Sequence, residues 1–198
     1  MPKGIPLTQE ELVRRRQEII AAALPLFIER GFNETSMWTI AAVVGIGKST
    51  LYDYFESKEA IMVAYFENEI QQVSQRAAEI MARDLDTPAK LILIMEMHLG
   101  QLVDNRNFYL KLSAEAQRLS ADGQQKIQVQ RHAYQDMLRV LIEEGIERGE
   151  FRPVNPLFAA RSIFMLLTLS TFTTRPSGSP EEMLQQAEDI FLRGILAE

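Results

Sequence analysis

Apolar residues recur every three to four positions along nearly the whole chain, which is the spacing of one face of an α-helix. Between Gln9 and Arg30, for example, Ile19, Ala23 and Phe27 follow this spacing, and Gly31 supplies a stop signal. No stretch alternates apolar and polar residues for long enough to predict a half-buried strand. The sequence therefore predicts an all-α fold.

Breaks at glycine, proline and capping residues divide this pattern into nine predicted helices. They cover residues 9–30, 37–44, 48–55, 58–83 (with Ser57 as N-cap), 89–103, 108–119, 124–147, 157–172 and 181–196. The first three helices are short and tightly connected, whereas the later ones are long and amphipathic. We therefore expect two domains, formed by residues 1–56 and residues 57–198.

The composition excludes several classes of chemistry. Among 198 residues there is no cysteine and there are only two histidines, which excludes disulfides, thiolate metal sites and a three-histidine metal centre. No glycine-rich phosphate loop after a strand and no paired nucleophile and base are evident. We therefore expect no enzyme, no catalytic residue, no metal and no cofactor. Neither a membrane-spanning run nor a secretion signal is visible, which predicts a cytoplasmic protein without a membrane partner.

The most informative stretch is residues 35–55. A capping residue opens a helix of about two turns, Gly45 permits a sharp turn with positive φ, and Leu51 and Phe55 lie four apart on one face of the next helix. The other face of that helix carries Lys48, Ser49 and Tyr52, with Thr50 and Tyr54 beside it. This arrangement predicts a helix-turn-helix, in which hydroxyls and an ammonium face phosphates and base edges. A solvated polar face on a small helical bundle is the alternative.

The start of the fourth helix supports the nucleic-acid interpretation. Lys58 stands at the first helical position, where a cation opposes the helix dipole. A bound DNA phosphate would reverse the sign of that effect. The alternative is an exposed lysine whose cost is screened by solvent.

Residues 14–62 resemble the DNA-binding domain of the tetracycline-repressor (TetR) family of bacterial transcription regulators. Several groups of residues carry the resemblance without a gap: residues 19–27, Gly31-Phe32, Thr35-Ser36, Ile40-Ala41, 44–46 and 50–59. The resemblance implies a nine-helix fold and a homodimer that binds a near-palindromic operator. It also implies a repressor that a small molecule entering the larger domain releases from DNA.

The resemblance also assigns roles to individual residues. Contacts to the DNA backbone are expected from Thr35 or Ser36, Lys48, Tyr52, Tyr54 and Lys58. Ser49 and Thr50 are expected nearest the base edges, with Gly47 allowing a close approach. Trp38, where the family often has a polar residue, either packs against the sugar-phosphate backbone or covers the core.

The last two helices carry apolar stripes that predict a four-helix dimer interface. The residues assigned to this interface are Ala160, Ile163, Leu167, Leu184, Ala187, Ile190, Phe191 and Ile195. The alternative is that both stripes pack only within the subunit.

An effector pocket is predicted among the fifth to eighth helices, lined by soft and aromatic residues that suit an apolar or aromatic ligand. The candidates are Met95, His98, Leu102, Phe108, Tyr109, Tyr134, Met137, Leu141, Phe164 and Met165. The alternative for each of them is an ordinary core residue, which is the commoner origin of methionine and aromatic residues at helical spacing; for His98 it is a hydrogen-bonded interior residue. The predicted function is a ligand-responsive regulator; the alternative is a DNA-bound adaptor whose large domain binds a protein.

Overall fold

A computed structural model describes residues 8–104, 106–172 and 175–196, and their side chains except at 102–104, 106, 168–172, 180 and 184. Within these residues the secondary structure is helical, with one isolated antiparallel bridge between Phe151 and Leu196. The all-α fold is thereby confirmed. The nine helices are α1 (Gln9–Arg30), α2 (Met37–Val44), α3 (Lys48–Tyr54), α4 (Lys58–Met81), α5 (Thr87–Asp104), α6 (Arg106–Ala116), α7 (Ala121–Glu147), α8 (Pro156–Phe172) and α9 (Pro180–Ile195).

Side-chain caps explain where two helices begin earlier than the sequence pattern predicts. The Asp86 carboxylate accepts the N–H of Ala89 at 2.7 Å, so α5 begins at Thr87 with Pro88 in its first turn. The Ser120 hydroxyl accepts the N–H of Gly123 at 3.1 Å, so α7 begins at Ala121. The prediction started α7 only at residue 124, after a glycine that disfavours helix.

The described residues group into two compact units. The N-terminal unit comprises residues up to Asn68 together with Lys111–Ile127, and the C-terminal unit comprises Glu69–Leu110 together with residues from Gln128 onward. Helices α4, α6 and α7 therefore contribute residues to both units. The two units do not coincide with the predicted domains, residues 1–56 and 57–198. That division into a DNA-binding domain and a ligand-binding and dimerisation domain stays a prediction.

The N-terminal unit has an apolar core to which α1 to α4 contribute. Its fully buried side chains include Ile19, Phe27, Ile40, Leu51 and Ile61. Leu112 and Leu119, from the returning segment of residues 111–127, are buried as well. Burial of this many large side chains gives the short helices α2 and α3 a rigid support that their own propensities do not provide.

A carboxylate on each side joins the returning segment to the rest of the N-terminal unit. Glu115 accepts the main-chain N–H of Phe32 at 2.7 Å. Glu59 accepts the N–H of Ser120 at 3.2 Å and also the Ser120 hydroxyl. These contacts fix the end of α1 and the start of α4 to the region where α6 ends and α7 begins.

The C-terminal unit is built around one packed core drawn from α4, α5, α7, α8 and α9. Most residues that the sequence assigned to a dimer interface are buried within the subunit: Ala160, Ile163, Leu167, Phe191 and Ile195 lie in this core, and Ala187 is buried as well. That assignment was therefore wrong for these six residues, because their stripes face the subunit's own interior. Of the remaining two, Ile190 is 65% exposed, and the Leu184 side chain lies outside the described residues.

The exposed apolar residues of α8 lie on a different face from its core stripe. Phe158 is 73% exposed and Met165 is 61% exposed, and the two are seven positions apart, which is two helical turns. On α9, Ile190 is exposed while its neighbour Phe191 is buried. Helices α8 and α9 pack on each other within the C-terminal unit. We call Phe158, Met165 and Ile190 the outer apolar patch.

Candidate nucleic-acid interface and effector region

The turn between α2 and α3 has the geometry that the sequence predicts. Ser36 caps α2 by accepting the N–H of Thr39 at 3.1 Å, and Gly45 ends α2 with a φ of 76° in the left-handed region. The N–H of Ile46 then donates to the carbonyl of Ala41 at 3.0 Å. Gly47 is the N-cap of α3. The two helices are thus joined by a tight, hydrogen-bonded corner.

The two faces of α3 separate as expected. Leu51 is fully buried, and the Phe55 side chain that follows the helix is buried too. On the opposite side Lys48, Ser49, Thr50 and Tyr52 are exposed, with Tyr52 showing 46% of its surface. The Lys48 ammonium lies 5.8 Å from the centre of the Tyr52 ring. Hydroxyls, one cation and one aromatic ring are therefore presented together to solvent.

Trp38 and Ser36 lie at the start of α2. The Trp38 ring is 68% exposed, so the interpretation that it covers the core is wrong. Ser36 is exposed, and its hydroxyl is within 2.9 Å of the Thr39 hydroxyl. Contact between these side chains and DNA stays a prediction.

Thr35 does not have the DNA-contacting role that the resemblance predicts for Thr35 or Ser36. It is only 1% exposed, and its hydroxyl donates to the carbonyls of Gly31 at 2.9 Å and Leu26 at 3.2 Å. A side chain enclosed in this way cannot reach a phosphate. Its role is to close the loop between α1 and α2.

The predicted contact of Lys58 with a DNA phosphate is also wrong. Its ammonium donates to the carbonyls of Phe32, Asn33 and Thr35, at 2.6, 2.9 and 2.9 Å. Because these contacts use all three donors, the side chain is not free for a DNA phosphate. At the first turn of α4 the Ser57 hydroxyl accepts the N–H of Ala60 at 3.0 Å.

The end of α3 is held by a residue that the sequence analysis missed. Arg16 of α1 donates to the carbonyl of Tyr54, and its guanidinium carbon lies 3.9 Å from the centre of the Phe55 ring. The Tyr54 residue itself is half-buried. No local sequence signal marks Arg16, because its partners lie 38 and 39 positions further along the chain.

The candidate effector residues occupy different environments within the C-terminal unit. Met95, Tyr134 and Leu141 are buried in the packed core, and Met137 and Phe164 pack against it. Phe108 and Tyr109 are half-buried, and the Tyr109 hydroxyl donates to Glu69 at 2.8 Å. Leu102 has no described side chain. Met165 is exposed, so its assignment to an interior pocket was wrong.

His98 forms the polar centre of this region. Its Nε2 is hydrogen-bonded to the Tyr134 hydroxyl, and its ring lies 5.3 Å from the ring of Phe164 in an edge-on arrangement. Burial lowers the pKa of His98 to about 4, and it raises the pKa of Tyr134. Both groups are therefore neutral near pH 7. The pair can hydrogen-bond a polar group of a ligand while the surrounding rings and thioethers contact an apolar chain.

Among the residues that the structure describes, no group of three potential metal-ligating side chains occurs. None of the helices found there has the combination of length and apolar character needed to cross a bilayer.

A tight glycine corner and a supported helix that presents hydroxyls and a cation define a helix-turn-helix DNA-binding protein. Residues 19–65 match the family model described as bacterial regulatory proteins, tetR family, and residues 84–195 match the tetracyclin repressor-like C-terminal domain. The chain therefore belongs to the TetR family of bacterial transcriptional regulators. This confirms the resemblance found in the sequence. It also confirms that the chain is a regulator rather than an enzyme.

Named relatives match most of the chain. The fatty acid metabolism regulator protein of Bacillus subtilis is 27% identical over 157 residues, covering 79% of this chain and 81% of that protein. The transcriptional repressor KstR2 of Mycolicibacterium smegmatis is 28% identical over 198 residues, covering 96% and 95%. The crystal structure of FadR from Bacillus subtilis in complex with stearoyl-CoA has a TM-score of 0.78 at 23% identity, covering 90% and 98%. At that identity the last likeness supports the fold alone.

Proposed function

We propose that this chain is a cytoplasmic homodimeric repressor, which binds a near-palindromic operator and leaves it when an effector with an apolar acyl chain enters the C-terminal unit. The observation that carries this proposal is the exposed face of α3. Lys48, Ser49, Thr50 and Tyr52 all project from a helix whose other face is buried. Such a face fits the major groove of a duplex.

The chemistry of this face favours direct contact over long-range attraction. Lys48 is the only lysine or arginine between residues 31 and 57, and the whole chain has a net charge of −6. Hydroxyls contact phosphates and base edges at hydrogen-bond distance without adding net charge. The proposed interface therefore depends on close fit around α3 more than on a basic field.

The outer apolar patch supports the homodimer. Phe158, Met165 and Ile190 each expose more than half of their surface, and they come from two helices that pack on each other. Full burial of each is worth roughly 1.5–3 kcal/mol. A second copy of the chain related by a two-fold axis would cover the patch with the same patch. It would also present two α3 helices to two half-sites about 34 Å apart.

The effector class rests on chemistry and on relatives. The core of the C-terminal unit contains methionine and aromatic side chains around one buried His98–Tyr134 pair. This composition suits a long apolar chain with one polar group. The Bacillus subtilis relative is named as a regulator of fatty acid metabolism, and a structural neighbour was crystallised with stearoyl-CoA. An acyl thioester is the effector that we propose.

The experiment is operator selection followed by release. Fragments of the source genome that bind the purified protein at low salt would be selected and sequenced, and the shared site tested by fluorescence anisotropy. Saturated acyl-CoA thioesters of increasing chain length would then be added, with free coenzyme A as the control. We expect release by long-chain thioesters and none by coenzyme A. Binding of no fragment contradicts the DNA half of the proposal, and bound protein that no thioester releases contradicts the effector half.

A further inference from the structure

The Lys58 side chain turns away from the helix that it begins. Its ammonium lies among the carbonyls of Phe32, Asn33 and Thr35, and 4.6 Å from the centre of the Phe32 ring. These three carbonyls belong to the loop that joins α1 to α2. One side chain from α4 therefore holds three residues of that loop at once.

Helix dipoles explain why this conformation is favourable. A cation at the start of α4 would face the positive end of that helix, which is unfavourable. The loop carbonyls instead follow the end of α1, where the dipole is negative and where Gly31 has turned the backbone with a φ of 94°. Burial lowers the pKa of Lys58, an effect that the Glu34 carboxylate opposes. The side chain thus carries its charge from an unfavourable helix end to a favourable one.

The loop that Lys58 holds leads directly into the proposed DNA-contacting surface. Within it, the Phe32 N–H is fixed by Glu115 and the Thr35 hydroxyl is fixed by Gly31 and Leu26. The next residue, Ser36, caps α2, and the exposed Trp38 lies in the first turn of that helix. The start of α2 is therefore placed by contacts that converge on residues 32–35.

We propose that Lys58 is a positioning residue for operator binding: it holds the α1–α2 loop so that the start of α2 meets DNA in the right place, and it does not itself bind phosphate. This inference rests on the proposed operator binding. A phosphate contact would require the ammonium to leave three carbonyl acceptors, whose own hydrogen bonds would then be lost.

Salt dependence of operator binding distinguishes the two roles. Each phosphate that a lysine neutralises contributes about −0.9 to the slope of log K against log salt. We expect Lys58→Met to weaken operator binding about tenfold while leaving that slope unchanged. The matched control is Lys48→Met, which should lower the steepness of the slope by about 0.9 for each protomer. A slope change in Lys58→Met equal to that of Lys48→Met would overturn the proposal, as would an unchanged affinity.

A charge-preserving variant sharpens the test. Lys58→Arg keeps the positive charge but replaces a compact ammonium with a planar fork, which cannot direct three donors at the converging carbonyls. We expect it to be as weak as Lys58→Met. Recovery of wild-type affinity by the arginine would show that only the charge matters and would refute the positioning role.

The single tryptophan of the chain gives a readout that needs no DNA. Trp38 lies at the start of α2, so its fluorescence anisotropy and its quenching by acrylamide report on that helix end. We expect lower anisotropy and faster quenching in folded Lys58→Met, and no change in Lys48→Met. Unchanged Trp38 signals in a folded variant would contradict the proposal. If the methionine variant fails to fold, Lys58→Gln, which retains two amide donors, carries the same expectations.

These readouts also separate this inference from the proposed function. Should wild-type protein bind no operator, the proposed function fails, and the Trp38 measurement still tests whether Lys58 holds the loop. Affinities are normalised to the folded, active fraction of each variant. A purely structural lysine would lower the melting temperature and leave the operator affinity of the folded fraction unchanged, which would overturn the positioning role.

Discussion

The Glu59 carboxylate accepts both the N–H and the hydroxyl of Ser120, the residue that caps α7. The two residues are 61 positions apart, and the contact brings the first turn of α4 against the first turn of α7. Gly123 makes it possible, because a Cβ at that position would overlap the Glu59 carboxylate. A negative group at the start of α7 is also favourable for the dipole of that helix.

The close approach at Gly123 predicts that Gly123→Ala changes the free energy of unfolding in opposite directions in proteins with and without the Glu59 carboxylate. Alanine is worth about 0.5–1 kcal/mol more than glycine within a helix, so Gly123→Ala alone should stabilise an open site. With Glu59 present, the added methyl group displaces the carboxylate and should lower the free energy of unfolding by about 1 kcal/mol. In a Glu59→Ala background the same change should raise it. Urea unfolding of all four proteins measures this; additive effects would contradict the contact.

Thr35 predicts an effect on stability that is larger than its effect on DNA affinity. Thr35→Val keeps the shape of the side chain but removes the hydroxyl that donates to Gly31 and Leu26. We expect a loss of about 1–2 kcal/mol in the free energy of unfolding. Because the α1–α2 loop keeps its contacts with Lys58 and Glu115, we expect operator binding of the folded fraction to weaken less than in Lys58→Met. Ser49→Ala is the matched surface variant, for which weaker operator binding and stability within about 0.5 kcal/mol of the wild type are expected. The opposite pattern would return Thr35 to the DNA-contacting set.

The outer apolar patch predicts which substitution separates the protomers. Phe158→Asp should give a folded monomer in analytical ultracentrifugation, because it introduces a charge into a two-fold apolar contact. Val13→Asp is the control: it changes an exposed apolar residue of α1 to the same charge and should leave the dimer intact. A stable Phe158→Asp dimer would rule out this face as the interface.

His98 predicts acid sensitivity of the C-terminal unit. Its pKa is about 4 in the folded protein and 6.5 in an unfolded chain, so the unfolded state binds more protons between these values. Stability should therefore fall as the pH drops from 6.5 to 4, by up to about 3 kcal/mol from this group. His98→Gln can still hydrogen-bond Tyr134 but does not titrate, so the variant should lose less stability over that range. Parallel stability curves for the two proteins would refute the assignment.

Local patterns were sufficient to predict α2, α3 and the corner between them. A capping serine, a glycine with positive φ and two inward apolar residues lie within twenty positions of each other, and each acts on its own neighbourhood. The hydrogen-bond partners of the Thr35 and Lys58 side chains were not predictable in this way. A hydroxyl or ammonium near a helix end can face solvent, DNA or a main-chain carbonyl, and only the packed loop decides among them.

The same limit explains the error in the dimer interface. Helix α8 is apolar on more than one face, so a three-to-four spacing identifies several stripes without ranking them. Ile163 and Leu167 enter the subunit core, whereas Phe158 and Met165 do not. Periodicity predicts that a helix has an apolar face, and the position of neighbouring helices decides which face is covered.

Having Lys48 as the single cation between residues 31 and 57 has a consequence for how the protein finds its target. Sliding along arbitrary chromosome sequence depends on counterion release, which grows with the number of cations facing the backbone. If the proposed α3 surface is the main contact to DNA, we expect weak binding to unrelated sequence and short sliding distances. The search for the operator would then rely chiefly on repeated association from solution.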